Sequence, residues 1–414
     1  MNTWWPRIWL GVALLAWASL FPASLLVFDS SRDLANGLAI ALGLNFPSAG
    51  PIVNFSRLFG PFWFYLLSIP FALGAGVKLV VWGIGLLSAA KLWVAWRLGR
   101  EWGSPTLGLA WAALLLVPGW AMVSALVPTH VSVVEVFVLL ALWFAVRAGA
   151  NGGLRDLSLM AVAFSLAMHG HPTSVIYAPM LAWLSRRAWW FRPLRLSAAL
   201  AAFGLPFLPL IVSVLASAAN ESGTEAVATG GSMAEVLAVL WARLLSFPAV
   251  AWSWTMQVSE LPASVANGRP GATLLHALWL LLGLAAVAGG LLALWRRDWR
   301  LIALIAYVTA SFCVIVLMRD MHGAWMFIAI LPITALAMVL TIAHVLPGRW
   351  HAAGSLLLAV CSLSAVLWTA QMLKHVEDDG ELSLSNRVIA DVAQWADPEP
   401  SPLPWIRADR HDSL

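Results

Sequence analysis

Asp29, Arg32 and Asp33 stand within five residues of one another, directly after an apolar stretch long enough to cross a bilayer. Charge at the point where a chain leaves hydrocarbon is costly unless it is solvated or used. A carboxylate there can take a proton from an attacking group, or it can cap a helix, for which Asp is a preferred residue. Arg32 and Asp33 could orient Asp29 or simply pair with each other. Further along, Arg319 offers a planar fork of donors that matches phosphate, or a snorkelling side chain. Arg57, His171 and His322 are further candidate donors to an anion. His130, His169, His171 and His322 invite a metal reading, but they come from separate segments, lack tight ligand spacing and have no cysteine near them. No metal and no other cofactor is expected. Glu135 is the one carboxylate deep inside a predicted span, about one and a half helical turns from His130. It could orient a histidine, line a site, or be a protonated structural acid.

The elements that must position these residues are membrane helices. The 414-residue chain is 61% hydrophobic and 11% charged, with a mean hydropathy of +0.84, which is the composition of an integral membrane protein. Its net charge of +4 comes from basic residues in short loops and gives no reason to expect nucleic acid. Cys313 and Cys361 both lie in apolar segments, so no disulfide framework is expected. No G-x-x-x-x-G-K loop occurs, which argues against an ATP-driven pump.

Arg7 ahead of the first apolar segment, 8–27, places the N-terminus in the cytoplasm by the positive-inside rule, as a retained signal anchor. Residues 28–78 then form the first outer loop. In it 34–44 reads as a short amphipathic helix, and 62–75, short and interrupted by Pro70, as a re-entrant or interfacial segment rather than a span. With that choice the spans 79–96, 107–127, 131–146, 157–168, 173–184, 196–214, 272–295, 301–318, 325–346 and 352–373 alternate, and every multi-arginine loop falls inside. That makes an all-α polytopic protein of about 11 transmembrane helices. The long loop 215–271 and the acidic tail 374–414 lie outside, together with Asp29, Arg57, His130, His171 and Arg319.

With this plan in place, four segments resemble the GT-C glycosyltransferases, in particular the family 39-like branch of protein O-mannosyltransferases and lipid A aminoarabinose transferases. Asp29-Ser-Ser-Arg32-Asp33 resembles the acidic first-loop motif of that family. Phe46-Pro-Ser-Ala-Gly-Pro51 with Gly60-Pro-Phe-Trp-Phe-Tyr65 resembles its Gly-Pro-aromatic juxtamembrane segment. His171-Pro-Thr173 resembles the His-Pro-Thr element, and Arg319 to His322 the late loop that contacts lipid phosphate. The resemblance covers residues 1–345, within a membrane domain of 1–373. The chain departs from it at Ser30, where the family often has Glu, and at His130, where Asp or Asn is frequent.

The resemblance implies a transferase acting on the periplasmic side of a bacterial inner membrane. It would move a sugar from a polyprenyl-phosphate donor to a lipid, glycan or protein acceptor. Asp29 would be the catalytic base. Arg319, His171, His322 and Arg57 would hold the donor phosphate, with Arg32, Asp33, His130 and Glu135 in support. The rival expectations are a glycan polymerase or ligase, which would place its chemistry on a large late loop, and a transporter or flippase of lipid-linked sugars, which would show paired broken helices and charges near the midplane.

Overall fold

The computed structural model describes residues 4–20, 28–48, 50, 60–116, 128–212, 284–317 and 328–377, and among them all regular structure is helical. The expectations for Arg57, Arg319, His322, the loop 215–271 and the tail beyond 377 lie outside the described residues.

The chain opens with α1 (Trp5–Ala18), followed by α2 (Phe28–Ala41) and α3 (Phe62–Ala72). Next come α4 (Val77–Trp102) and α5 (Pro105–Leu116). A 3-10 turn, His130–Val133, leads into α6 (Val134–Asn151), and α7 (Leu154–Gly170) returns alongside it. A second 3-10 turn, Pro172–Tyr177, leads into α8 (Ala178–Trp189), then α9 (Pro193–Gly204). The later helices are α10 (Leu284–Trp295), α11 (Trp299–Leu317), α12 (Leu331–Val345) and α13 (His351–Glu377).

Four helical stretches are long and apolar enough to cross a bilayer: Val77–Trp102, His130–Asn151, Pro193–Val212 and Ile328–Val345. The first, second and fourth are largely buried inside the protein, whereas only 11% of the Pro193–Val212 window is, so that helix presents its surface outward. Helix α3 has 11 residues, too few to span about 30 Å of hydrocarbon. That agrees with the non-spanning reading of 62–75.

The helices pack without relying on hydrophobicity alone, because lipid is as apolar as leucine and close backbone approach must supply the contact. Gly99 on α4 and Gly108 on α5 show this. A Cβ on Gly108 would lie 2.3 Å from the carbonyl oxygen of Trp96, and one on Gly99 only 2.5 Å from the Gly108 Cα. Long-range hydrogen bonds from indole and phenol groups tie early helices to late ones. Trp9 donates to the Ala359 carbonyl at 2.9 Å, Trp111 to the Pro332 carbonyl at 2.8 Å, and Tyr307 to the Ile176 carbonyl.

Helix α2 corrects the expected boundaries. It begins at Phe28 rather than at 34 and ends at Ala41 rather than at 44. Asp29 therefore lies within α2 rather than ahead of it. Within the charged run Asp29 to Asp33, Arg32 and Asp33 pair with each other, Nη2 to Oδ1 at 3.0 Å.

Candidate active site

Asp33 is the centre of the polar cluster that the described residues form. Its side chain is fully buried. Arg32 grips Oδ1 with Nε at 3.2 Å and Nη2 at 3.0 Å. On Oδ2, the Trp63 indole donates at 2.9 Å, the His130 backbone N–H at 3.4 Å, and the His130 ring meets it through Nδ1 at 3.1 Å. Helix α2, helix α3 and the 3-10 turn before α6 thus converge on one carboxylate. Burial opposes its ionisation, yet the Arg32 guanidinium, with the hydrogen bond and charge of His130, holds its pKa below the usual 3.8.

Each partner is positioned locally. Thr129 and Ser132 form a capping box, with the Thr129 N–H donating to Ser132 Oγ at 3.2 Å, and this fixes the turn that carries His130. The Asn36 side chain donates back to the Arg32 carbonyl at 3.0 Å. Gly60 allows the loop before α3 to close on α7: a Cβ there would lie 2.1 Å from His169 Nε2. His169 is wedged against Phe207 and Phe62, with Nε2 3.1 Å from the Pro206 carbonyl.

His171 lies at the break between α7 and the 3-10 turn Pro172–Tyr177. It is buried, and its Nδ1 accepts from the Thr173 N–H at 3.3 Å and meets Thr173 Oγ1 at 2.7 Å. It therefore caps the 3-10 turn that follows. Burial, and secondarily repulsion from His130, pushes its pKa down from 6.5 to about 3. The folded state keeps this imidazole neutral, while an unfolded chain would bind a proton below about 6.5. Stability should therefore fall as pH drops from 6.5 toward 3. The ionic grip on Asp33 is present above 3.8 and is lost as pH falls further, through its lowered folded value. Melting temperatures in detergent from pH 7.5 to 4.5 should decline for the native protein and decline less for His171→Asn, which keeps an acceptor but no titrating ring.

Glu135 lies apart from this cluster. Its Oε2 accepts from Lys91 Nζ on α4, and both side chains are fully buried. Its partner is thus a lysine on a neighbouring helix rather than His130. Lys91 also stands 4.1 Å over the Trp17 ring, whose indole donates to Ser88 Oγ at 3.3 Å. The sequence reading missed Lys91, although a signal was present: it is the one Lys or Arg within the predicted spans, as Glu135 is the one Asp or Glu.

The fold therefore brings Arg32, Asp33 and His130 together with Trp63, places His171 near them, and sets Glu135 on a separate pair. Asp29 lies one helical turn ahead of Asp33 on α2. Among the described residues, no group of three or more His, Cys, Asp or Glu side chains is arranged to hold a metal ion.

No family model and no curated protein matches this chain. Among solved structures, it is similar to the crystal structure of ArnT from Cupriavidus metallidurans bound to undecaprenyl phosphate. The TM-score is 0.51 at 13% identity, covering 96% of this chain and 82% of that one. The apo structure of the same protein aligns with a TM-score of 0.42 at 16% identity, covering 94% and 76%.

Proposed function

We propose, taking the GT-C fold that this chain shares with ArnT as the premise, that it is a membrane glycosyltransferase using a polyprenyl-phosphate-linked sugar. The observation that carries this reading is the alignment over 96% of the chain with a protein solved in complex with undecaprenyl phosphate. The buried grip on Asp33 adds to it, because it anchors the first turns of α2, the helix that carries Asp29.

In this reading residues 1–373 are the catalytic membrane domain and 374–414 an acidic tail. The chain sits in a bacterial inner membrane, with the first loop on the periplasmic side. An acceptor hydroxyl attacks the anomeric carbon of the donor. The bond from that carbon to the phosphate oxygen breaks, polyprenyl phosphate leaves with the electron pair, and Asp29 takes the hydroxyl proton. Arg319, with Arg57, His322 and His171, stabilises the charge on the departing phosphate. Arg32, Asp33 and His130 hold α2 in place. The pair of Glu135 and Lys91 braces α6 against α4. No metal or cofactor enters the reaction.

The test is the mass of envelope glycolipids and glycans in cells carrying the native protein, Asp29→Asn, or none. Asn keeps the shape but cannot accept a proton, so a loss of about 10²- to 10⁴-fold in transfer is expected. A hexose- or pentose-sized increment should appear with the native protein alone. An increment that Asp29→Asn makes at the native rate would remove Asp29 as the base. Absence of any protein-dependent increment would sink the transferase reading and favour transport of a lipid-linked sugar.

A further inference from the structure

A cavity of about 890 Å³ opens where α8 turns into α9, lined among others by Trp183, Arg186, Arg187, Trp190 and Arg192. It stands at the far end of α6, α7 and α8 from His130 and His171. Helix α6, with its 18 residues, sets that separation at about 27 Å, close to the thickness of a hydrocarbon core. A polar cluster at one end and this cavity at the other therefore fall near opposite faces of the bilayer.

The chemistry of the cavity is one-sided. From residue 145 to 196 the chain has six arginines and one acid, Asp156. Arg147 takes that acid at 3.3 Å, and Arg195 is engaged with the Gly152 carbonyl, which ties α9 to the turn between α6 and α7. Among the described residues no carboxylate pairs with Arg186, Arg187 or Arg192. Arg186 stands 4.0 Å over the centre of the Trp183 ring and donates to the Trp183 carbonyl at 2.9 Å, so contacts within its own helix hold it at the cavity. The turn itself is unusual. Phe191 has φ 58°, a left-handed conformation that bulky residues avoid. The strained turn leaves its ring 91% exposed beside Trp190, 55% exposed. Exposed aromatic rings beside arginines suit the boundary between head groups and acyl chains.

We propose that this cavity binds the phosphodiester head group of an anionic phospholipid. Arg186, Arg187 and Arg192 are its cationic contacts, and Trp183, Trp190 and Phe191 sit at the level where the acyl chains begin. A basic loop that only fixes topology needs charge and no cavity, whereas here the arginines line one. A zwitterionic head group is disfavoured, because the cavity offers no carboxylate to its ammonium and the Trp183 face is already covered by Arg186. This site is independent of the transfer reaction.

The test is native mass spectrometry of the full-length protein titrated with phosphatidylglycerol or phosphatidylcholine. The native protein should retain phosphatidylglycerol at least about tenfold more strongly. The triple variant Arg186→Gln, Arg187→Gln, Arg192→Gln should lose that preference, since each arginine near an anionic lipid contributes roughly fivefold. The control Arg296→Gln, Arg297→Gln, Arg300→Gln, on the turn between α10 and α11 and the first turn of α11, should keep it. Equal retention of the two lipids by the native protein, or equal loss in both variants, would overturn the site. If the first variant does not fold, Arg187→Gln with Arg192→Gln, both exposed side chains, makes the same comparison.

Discussion

Lys91→Ala alone, and Glu135→Ala alone, should each sharply reduce the folded protein recovered from membranes, while Lys91→Met combined with Glu135→Leu should restore most of it. The two side chains are fully buried and joined across α4 and α6. Removing one partner strands the other charge in a medium that cannot solvate it, at a cost of about 3–5 kcal/mol. That is a large share of the roughly 5–15 kcal/mol by which native domains are stable. Replacing both partners with apolar residues of similar size removes the desolvation penalty as well, and such exchanges are often neutral. Met in place of Lys91 also keeps a favourable contact with the Trp17 ring. The measurement is the monodisperse fraction after detergent extraction, with the melting temperature of each form. If the double variant is as poor as the single ones, the two residues do not act as a pair.

Asp33→Asn should destabilise the protein as well as impair transfer, in contrast to Asp29→Asn, which should impair transfer alone. Asn at position 33 keeps a shape close to Asp but brings no charge to Arg32, which is 8% exposed, and its amide nitrogen cannot accept from the donors that now converge there. Losing charge-assisted bonds of this kind costs about 2–3 kcal/mol. Measuring thermal stability beside transfer activity separates the two carboxylates. If Asp33→Asn melts with the native protein yet transfers nothing, Asp33 takes part in the chemistry itself. If both variants melt low, Asp29 is also part of the grip.

The helical class and most helix positions were legible because apolar stretches of span length and arginine-bearing turns are strong signals in a membrane chain. Helix boundaries at polar sites were less legible. The run Asp29 to Asp33 was read as lying ahead of the short helix 34–44, and the partners that hold Asp33 within α2, Trp63 and His130, lie far away in sequence. The same holds at His171. A helix was expected from residue 173, but the histidine caps a 3-10 turn and α8 starts only at Ala178. Within the site, pairing of Arg32 with Asp33 was among the sequence alternatives. The addition of His130 required the fold, because 97 residues separate it from Asp33. Lys91 and Glu135 show the opposite case. Each is the lone charge of its predicted span, but Glu135 alone was singled out, and with Lys91 passed over the pairing was missed too.

The bonds from Trp9 to Ala359 and from Trp111 to Pro332 have a consequence for biogenesis. Both indoles are buried, and their acceptors lie 350 and 221 residues further along the chain. While the ribosome is still synthesising the later helices, the early ones wait in the bilayer with polar donors that hydrocarbon cannot satisfy. They must borrow a partner in the interval, from water, lipid head groups or an insertion chaperone. A chain whose synthesis stops before α12 would carry both indoles unsatisfied, and quality-control proteases in the membrane would meet it as an incomplete bundle.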